Sequence, residues 1–279
     1  MTTDSAARFA SILPMLVCPA CRHALRSSSD ALRCTACAAE YPIVKGRPVF
    51  VPAGRDVRVI PEGHISNQPV AAVMDRVAWQ KGWTLNLGAG GTVKKLDNVV
   101  EFEYALFKNT DVSGDAHHLP FPDATFESVV TFNTFEHLAD PDRAAAEIYR
   151  VLKPGGWLFL HTAFLQPLHE SPYHFYNTTE WGLRKWFAQF QIQDVNVSSN
   201  FHPGYTLAFL ASTAVRAAES QGPEVRKLVG HTTLDYWASC WGEPKNQDTI
   251  AWNCFATLSQ ELQKAFSAGF QLEATKPAV

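Results

Sequence analysis

The sequence predicts an α/β fold: a mostly parallel sheet with helices on both faces, a small metal-stapled module ahead of it and a helical insertion near its end. Three observations carry that expectation. Thr84-Leu85-Asn86-Leu87-Gly88-Ala89-Gly90-Gly91-Thr92 reads as a short buried strand entering a glycine turn, the place where an open α/β sheet lets a nucleotide-like ligand lie against bare backbone. Residues 124–164 read as strand, helix and strand, an order that needs a parallel pair. Two Cys-x-x-Cys pairs, Cys18-Pro19-Ala20-Cys21 and Cys34-Thr35-Ala36-Cys37, stand twelve residues apart.

The cysteine module comes first. Two such knuckles bring four thiolates to the corners of a tetrahedron, a donor set that suits Zn2+. Four thiolates leave no open position for water, so Cys18, Cys21, Cys34 and Cys37 are expected to hold a structural ion. His23, close behind Cys21, is read as an exposed bystander. From Ala38 to Val51 apolar β-formers alternate around a Lys45-Gly46 turn, which gives a β-ribbon. About 40 residues bury too little surface to fold unaided, and the metal supplies the missing stability.

A connector containing Pro and Gly starts at Pro52, with the domain boundary expected near Gly54 to Asn67. A helix from Val70 to Gln80 follows, with Val73, Val77 and Trp79 available for burial. The opening strand and its turn lead to a second strand at Val99 to Tyr104, and so few residues lie between them that the crossover helix must be very short. Glu101 and Glu103 are two apart and point to the same side. A carboxylate at the carboxyl end of this strand can accept from two ribose hydroxyls; the alternative for either residue is a solvated edge carboxylate.

Ser128 to Phe132 is a third buried strand. Asp140-Pro141 caps a helix whose Ala144, Ile148, Val151 and Leu152 share a face, and Gly155-Gly156 should stop it. Trp157 to Phe164 is the next buried strand, and Pro167 to Tyr176 a loop at the carboxyl edge of the sheet. Asn177 to Glu180 opens a helix burying Trp181, Trp186 and Phe187, and Gln191 to Val197 is another strand. Residues from Tyr205 to Lys264 are helices rich in Trp, Phe and Leu, before a final strand at Gly269 to Lys276. The expected division is therefore 1–54 for the ribbon, 55–82 for a linker and leading helix, 83–204 for the core, 205–264 for the insertion and 265–279 for the last core strand. Cys240 and Cys254 are read as buried small hydrophobes.

Hydrophobic residues make up 46% of the 279 and charged ones 18%, a globular composition with no disordered or spanning segment. The start of the chain lacks a secretory leader, and clustered cysteines fit a reducing compartment, so a cytoplasmic protein without membrane contact is expected. The net charge of −3 gives no global reason to expect nucleic acid. Residues 1–60 nevertheless hold eight Lys/Arg against four Asp/Glu, and the remainder sixteen against twenty-three, so a basic amino-terminal part precedes an acidic body.

LNLGAGGT, GDAHHLPFPDATFESVV, FEHLADPDRAAAEIYRVLKPGG and WLFLHTAF, in that order, resemble class I S-adenosylmethionine-dependent methyltransferases of the methyltransferase-11 type, and CPAC…CTAC…YPIVKGRPVF resembles a Trm112-type zinc ribbon. The resemblance covers about residues 15–52 and 83–200. It implies a Rossmann-like sheet in which Gly88, Ala89 and Gly90 pass under the methionine part of S-adenosylmethionine. It further implies that Glu103, twelve residues before Asp115, takes the ribose, that Asp115 with Ala116 holds the adenine, and that Asn133 lies by the methionine end. Two departures stand out: Thr92 occupies the usual third glycine position, and the first crossover is abbreviated.

Methyl transfer from a sulfonium is an in-line displacement in which alignment and exclusion of water supply most of the rate. If the acceptor is a hydroxyl or acidic N–H, His169 and His174 are the candidate bases and Tyr173 an orienting group; the alternative is that all three shape the substrate pocket. Glu136-His137 is read as a local anchor, His117 and His118 as adenine-side loop residues, and His161 as a buried strand residue. The leading reading is a small-molecule O- or N-methyltransferase. The second is an rRNA or tRNA methyltransferase, favoured by the basic ribbon, and the third a non-catalytic scaffold with a degenerate fold. The insertion is either a lid or a homo-oligomer interface.

Overall fold

The computed structural model describes residues 3–51, 57–61, 69–198 and 201–268. The chain divides into two compact units, residues 1–163 with 175–193 and residues 164–174 with 194–279.

The first unit begins with helix α1 (Thr3–Ile12), which sequence reading did not anticipate. Strands β1 (Leu25–Ser27), β2 (Ala31–Cys34), β3 (Glu40–Val44) and β4 (Arg47–Phe50) form an antiparallel ribbon. Lys45 and Gly46 both have positive φ, 50° and 77°, and join β3 to β4 as a two-residue turn whose twist matches the strands it connects. Helix α2 (Ala71–Trp79) buries Val73 and Val77. Trp79 is 89% exposed, contrary to expectation, because it lies two residues past Val77 and so about 200° around the helix from the buried stripe.

Strands β5 (Thr84–Leu87), β6 (Val99–Glu103), β7 (Val112–Gly114), β8 (Phe126–Phe132) and β9 (Leu152–His161) are parallel. The whole sheet runs β1-β2-β3-β4-β7-β6-β5-β8-β9. The ribbon joins it directly, for β4 pairs in parallel with β7 through Val49↔Ser113 and Phe50↔Gly114. Strand β7 itself was not expected. Its Gly114 fits beneath two aromatic side chains, since a Cβ there would stand 2.9 Å from Phe102 Cζ and 3.4 Å from Phe50 Cβ.

Helices cover both faces. Ile12 of α1 and Ala144, Ile148 and Val151 of α3 (Pro141–Val151) join Leu85, Leu87, Phe102 and Val129 on one side, with Phe187 at the end of α4 (Glu180–Trp186). Val73 and Val77 pack on Val99, Val130 and Phe132 on the other. Asp140 caps α3 as expected, its carboxylate accepting from Arg143 N at 3.0 Å. The helix ends at Val151, ahead of Gly155-Gly156, because Lys153 precedes Pro154 and is steered out of the helical region. Strand β9 is half-buried, not fully buried, and stops at His161.

Three further expectations are corrected. No helix connects β5 to β6; residues 88–98 cross as an irregular loop. Trp181 is 74% exposed, because Leu183, Trp186 and Phe187 define the inward stripe of α4 and Trp181 is out of phase with them. Gln191 to Val197 forms no strand, since alternation without a ladder partner leaves backbone groups unpaired; Val197 is 68% exposed.

The second unit holds α5 (Pro203–Glu219), α6 (Pro223–His231), α7 (Leu234–Gly242), α8 (Ile250–Ala256) and α9 (Gln260–Phe266) around Ala218, Val229, Ala251 and Cys254. Cys240 and Cys254 are buried, as expected. The final strand expected at 269–276 lies outside the described residues. Among the described residues no helix is long and apolar enough to cross a membrane.

Candidate functional site

In the parallel part of the sheet, β6 and β7 lie to one side of β5 and β8 and β9 to the other. The strand order therefore reverses between β5 and β8, and ligands of open α/β sheets bind outside the carboxyl ends of the strands at such a point. The ladder aligns Leu87 with Phe102 and Thr131, and Glu103 with Ser113. It follows that Gly88–Gly90, Glu103, Asp115 and Asn133, each at or just beyond the end of its strand, share one sheet edge.

The backbone of the turn is left-handed at both glycines, φ 69° at Gly88 and 56° at Gly90. A Cβ on Gly88 would lie 2.0 Å from Thr134 Oγ1, so the turn packs against the segment after β8 with no room for a side chain. Gly88→Ala is expected to cost about 2–5 kcal/mol in urea unfolding, strain and overpacking together. Gly155→Ala, at φ 75° with nothing within 4 Å, should cost only about 1–2 kcal/mol from strain.

Glu103 is no solvated edge carboxylate. Its Oε2 accepts from Gly90 N at 2.9 Å and its Oε1 from Tyr104 N at 2.7 Å, so it braces the turn and keeps lone pairs for a ligand. Burial raises its pKa, and the donated amides only partly oppose that. Asp115 Oδ1 accepts from the His117 backbone N at 2.9 Å and from the His117 ring. Burial pushes the Asp115 carboxyl up, but the His117 imidazole and amide outweigh it and its pKa is lowered. Among the described residues Oδ2 remains available to an exocyclic amine. Ala116 is buried, and Asn133 has φ 51°, with its N–H donated to His161 O at 3.0 Å. His161 is buried at the end of β9, which lowers its pKa.

Glu101 shows what sequence reading missed. It is fully buried beneath the turn, where Oε2 meets Asn86 Nδ2 at 2.7 Å and Thr92 Oγ1 at 3.0 Å. Burial raises its pKa to about 7. Glu136 acts as a local anchor: its Oε2 accepts from Thr162 Oγ1 at 2.9 Å and its carbonyl from Phe175 N and Tyr176 N.

His169, Tyr173 and His174 belong to the second unit. The two imidazoles meet in a tilted contact, centroids 4.2 Å apart and planes at 57°. His169 N donates to His174 Nδ1 at 3.2 Å, and His169 Nδ1 faces Pro167 O at 3.0 Å. A carbonyl only accepts, so neutral His169 carries its proton on Nδ1 and the lone pair on Nε2, whereas neutral His174 carries its proton on Nε2. Tyr173 is 55% exposed.

The four Sγ atoms of Cys18, Cys21, Cys34 and Cys37 lie within 4.8 Å of one another. Bonds of about 2.3 Å in a tetrahedron put thiolates about 3.8 Å apart, and the pairs Cys18–Cys37 and Cys21–Cys34 stand at 3.6 and 3.3 Å, so the cluster has the size a divalent ion needs. Backbone N–H groups of Cys37 and Ala36 point at Cys34 Sγ and lower its pKa. His23 stays outside the cluster, its Nδ1 on Cys21 O at 2.9 Å.

Comparison with known proteins gives two family matches. Residues 85–160 match a family described as methyltransferase domain, and residues 11–46 a family described as Trm112p-like protein. The chain is 41% identical over 66 residues to a ubiquinone/menaquinone biosynthesis C-methyltransferase of Haemophilus ducreyi, which is 24% of this chain and 25% of that protein. It is 49% identical over 51 residues to a demethylmenaquinone methyltransferase of Thermobifida fusca, 18% of this chain and 22% of the other. It is 30% identical over 116 residues to an uncharacterized methyltransferase of Schizosaccharomyces pombe, 42% and 34% of the two chains. The chain thus spans about a quarter to a third of the length of these curated relatives.

Proposed function

We propose that this chain, which joins a Trm112-like ribbon to a methyltransferase domain of the methyltransferase-11 type, is an S-adenosylmethionine-dependent methyltransferase. The observation that carries the reading is the shared edge at the switch point, where the glycine turn, Glu103, Asp115–Ala116 and Asn133 converge. When bound, S-adenosylmethionine supplies a methyl group already activated on a cationic sulfur. The bare backbone of Gly88–Gly90 admits the methionine part, and Glu103 fixes the ribose by accepting from its two hydroxyls. Asp115 Oδ2 accepts from the adenine amine while Ala116 packs on the ring, and Asn133 positions the methionine end. Cys18, Cys21, Cys34 and Cys37 hold Zn2+ as a structural ion.

The acceptor is read as an O or N atom of a small molecule. His169 and His174 are then the candidates to take the acceptor proton, and Tyr173 the group that orients the substrate. The Haemophilus ducreyi relative is named a C-methyltransferase and the Thermobifida fusca one a demethylmenaquinone methyltransferase, but the stretches shared with them cover only 66 and 51 residues. Their acceptor chemistry does not come with those stretches. The basic ribbon supports a second reading in which the acceptor is RNA.

Calorimetry with S-adenosylmethionine and S-adenosylhomocysteine tests the enzyme reading: micromolar binding of both is expected, and absence of binding by the intact protein would overturn it. Retention on heparin, together with RNA binding that weakens steeply with salt, would move the acceptor from a small molecule to RNA.

A further inference from the structure

Thr92 Oγ1 stands 3.1 Å from Ala89 O and 3.0 Å from Glu101 Oε2, both within hydrogen-bonding distance. A threonine hydroxyl has one proton, and a carbonyl can only accept. If Glu101 is ionised, the two acceptors compete for that proton and one contact is lost. If Glu101 is protonated on Oε2, it donates to Thr92, Thr92 donates to Ala89 O, and Asn86 Nδ2 still donates to Oε2. The rest of the pocket agrees with a neutral acid. Glu101 Oε1 and Asn86 Oδ1 are buried with no hydrogen-bond partner among the described residues, a smaller penalty beside a neutral carboxyl than beside a buried charge.

We propose that Glu101 is a positioning residue for the cofactor turn: as the neutral acid it completes a relay from Glu101 through Thr92 to Ala89 O that holds Gly88–Gly90 in its binding shape, and ionisation breaks the relay. This rests on the assignment of the turn to S-adenosylmethionine. Asn109 Nδ2 anchors the middle of the relay by donating to Thr92 O at 2.7 Å.

The charged groups around Glu101 are few. Asp111 receives the Glu101 backbone N–H at 3.0 Å and disfavours a second negative charge, although Arg8 pairs with it at 2.8 Å. Lys95, bonded to the same Asp111, favours ionisation. Glu103, two residues along, is itself pushed up by burial, an effect that its backbone amide donors and His137 oppose only in part. Burial is the largest influence, and it carries the pKa of Glu101 to about 7 from a usual 4.5.

S-adenosylhomocysteine affinity of the intact protein, measured by calorimetry from pH 5.5 to 8.5, tests the proposal. Wild-type affinity should fall about tenfold above pH 7, the effect of losing one hydrogen bond to the turn. Glu101→Gln, whose amide nitrogen can donate to Thr92 at every pH once the Asn86 amide turns its unpaired Oδ1 toward it, should show no more than about twofold change in its own affinity over pH 6.5–8.5. Thr92→Val, which removes the relay, should bind about tenfold more weakly at pH 6.5 and lack the alkaline decline. Glu101→Gln with the wild-type decline, or Thr92→Val with wild-type affinity, would overturn the proposal.

Stability supplies a second readout that needs no ligand. The native state keeps the Glu101 proton up to about pH 7, whereas the unfolded chain releases it near 4.5, so this group favours folding below pH 4.5 and its contribution is lost as pH rises to 7. The urea midpoint of the wild type should therefore decline over that window more steeply than that of Glu101→Gln. Parallel profiles would sink the relay even if no ligand bound, while absent binding with divergent profiles would count against the cofactor assignment alone.

Discussion

Glu103→Ala should reduce S-adenosylhomocysteine affinity by at least about 100-fold, the largest effect expected from any single side chain at the sheet edge. Two losses combine. Hydrogen bonds between a carboxylate and two ribose hydroxyls are worth about 1.5–3 kcal/mol each, and 100-fold corresponds to about 2.7 kcal/mol. The substitution also leaves Gly90 N and Tyr104 N without the acceptor that now holds them. Glu103→Gln, which keeps one carbonyl oxygen and discards the charge, should fall in between. Asp115→Ala should cost less, about tenfold, because only one amine contact depends on it. Calorimetry checks all three. Unchanged affinity in Glu103→Ala, against a wild type that binds, would place the ribose elsewhere.

Removal of zinc should unsettle far more than the ribbon. A four-thiolate ion contributes on the order of 10 kcal/mol to small zinc modules, and here β4 is a strand of the parallel sheet as well as the last strand of the ribbon. Releasing the cysteines frees β4 and bares the edge of β7, whose end leads into Asp115. Two further ties depend on the knuckle: Val17 N donates to Pro120 O at 2.9 Å, and Arg22 reaches Glu147 at 3.1 Å. Chelation, or Cys34→Ser, should therefore lower the melting temperature of the whole first unit in one transition and weaken S-adenosylhomocysteine binding with it. Metal analysis, scanning calorimetry and binding on the same sample provide the check. Zinc-free protein that keeps its melting temperature and its ligand affinity would refute this coupling.

The parts of the molecule that could be read from sequence are those whose cause is local. The turn at Gly88 and Gly90 follows from backbone conformations that only glycine adopts easily, and the cysteine cluster follows from spacing. Asp140-Pro141 marks its helix through the cap alone. What escaped has a non-local cause. Strand β7 is three residues long, ends in glycine, and exists because β4 and β6 lie on either side of it. Glu101 and Glu103 have the same spacing pattern and the same charge, yet one lies beneath the turn and the other at its rim, a difference set by Asn86 across the ladder and Thr92 in the loop after the turn. Trp79 and Trp181 are large and apolar, which suggests burial, but helical phase put both outside.

The loop at residues 88–98 has an electrostatic consequence. In sites built for pyrophosphates, the helix that follows the glycine turn aims its positive end at the ligand. Here no helix follows, so that half-charge is missing, and Glu103 sets a carboxylate against the amide of Gly90 instead. An anion would meet a carboxylate with no dipole to offset it, whereas a positively charged sulfur would meet no repulsion from a helix end. The missing turns of helix thus bias the edge, before any specific contact is made, towards a ligand that carries a positive charge.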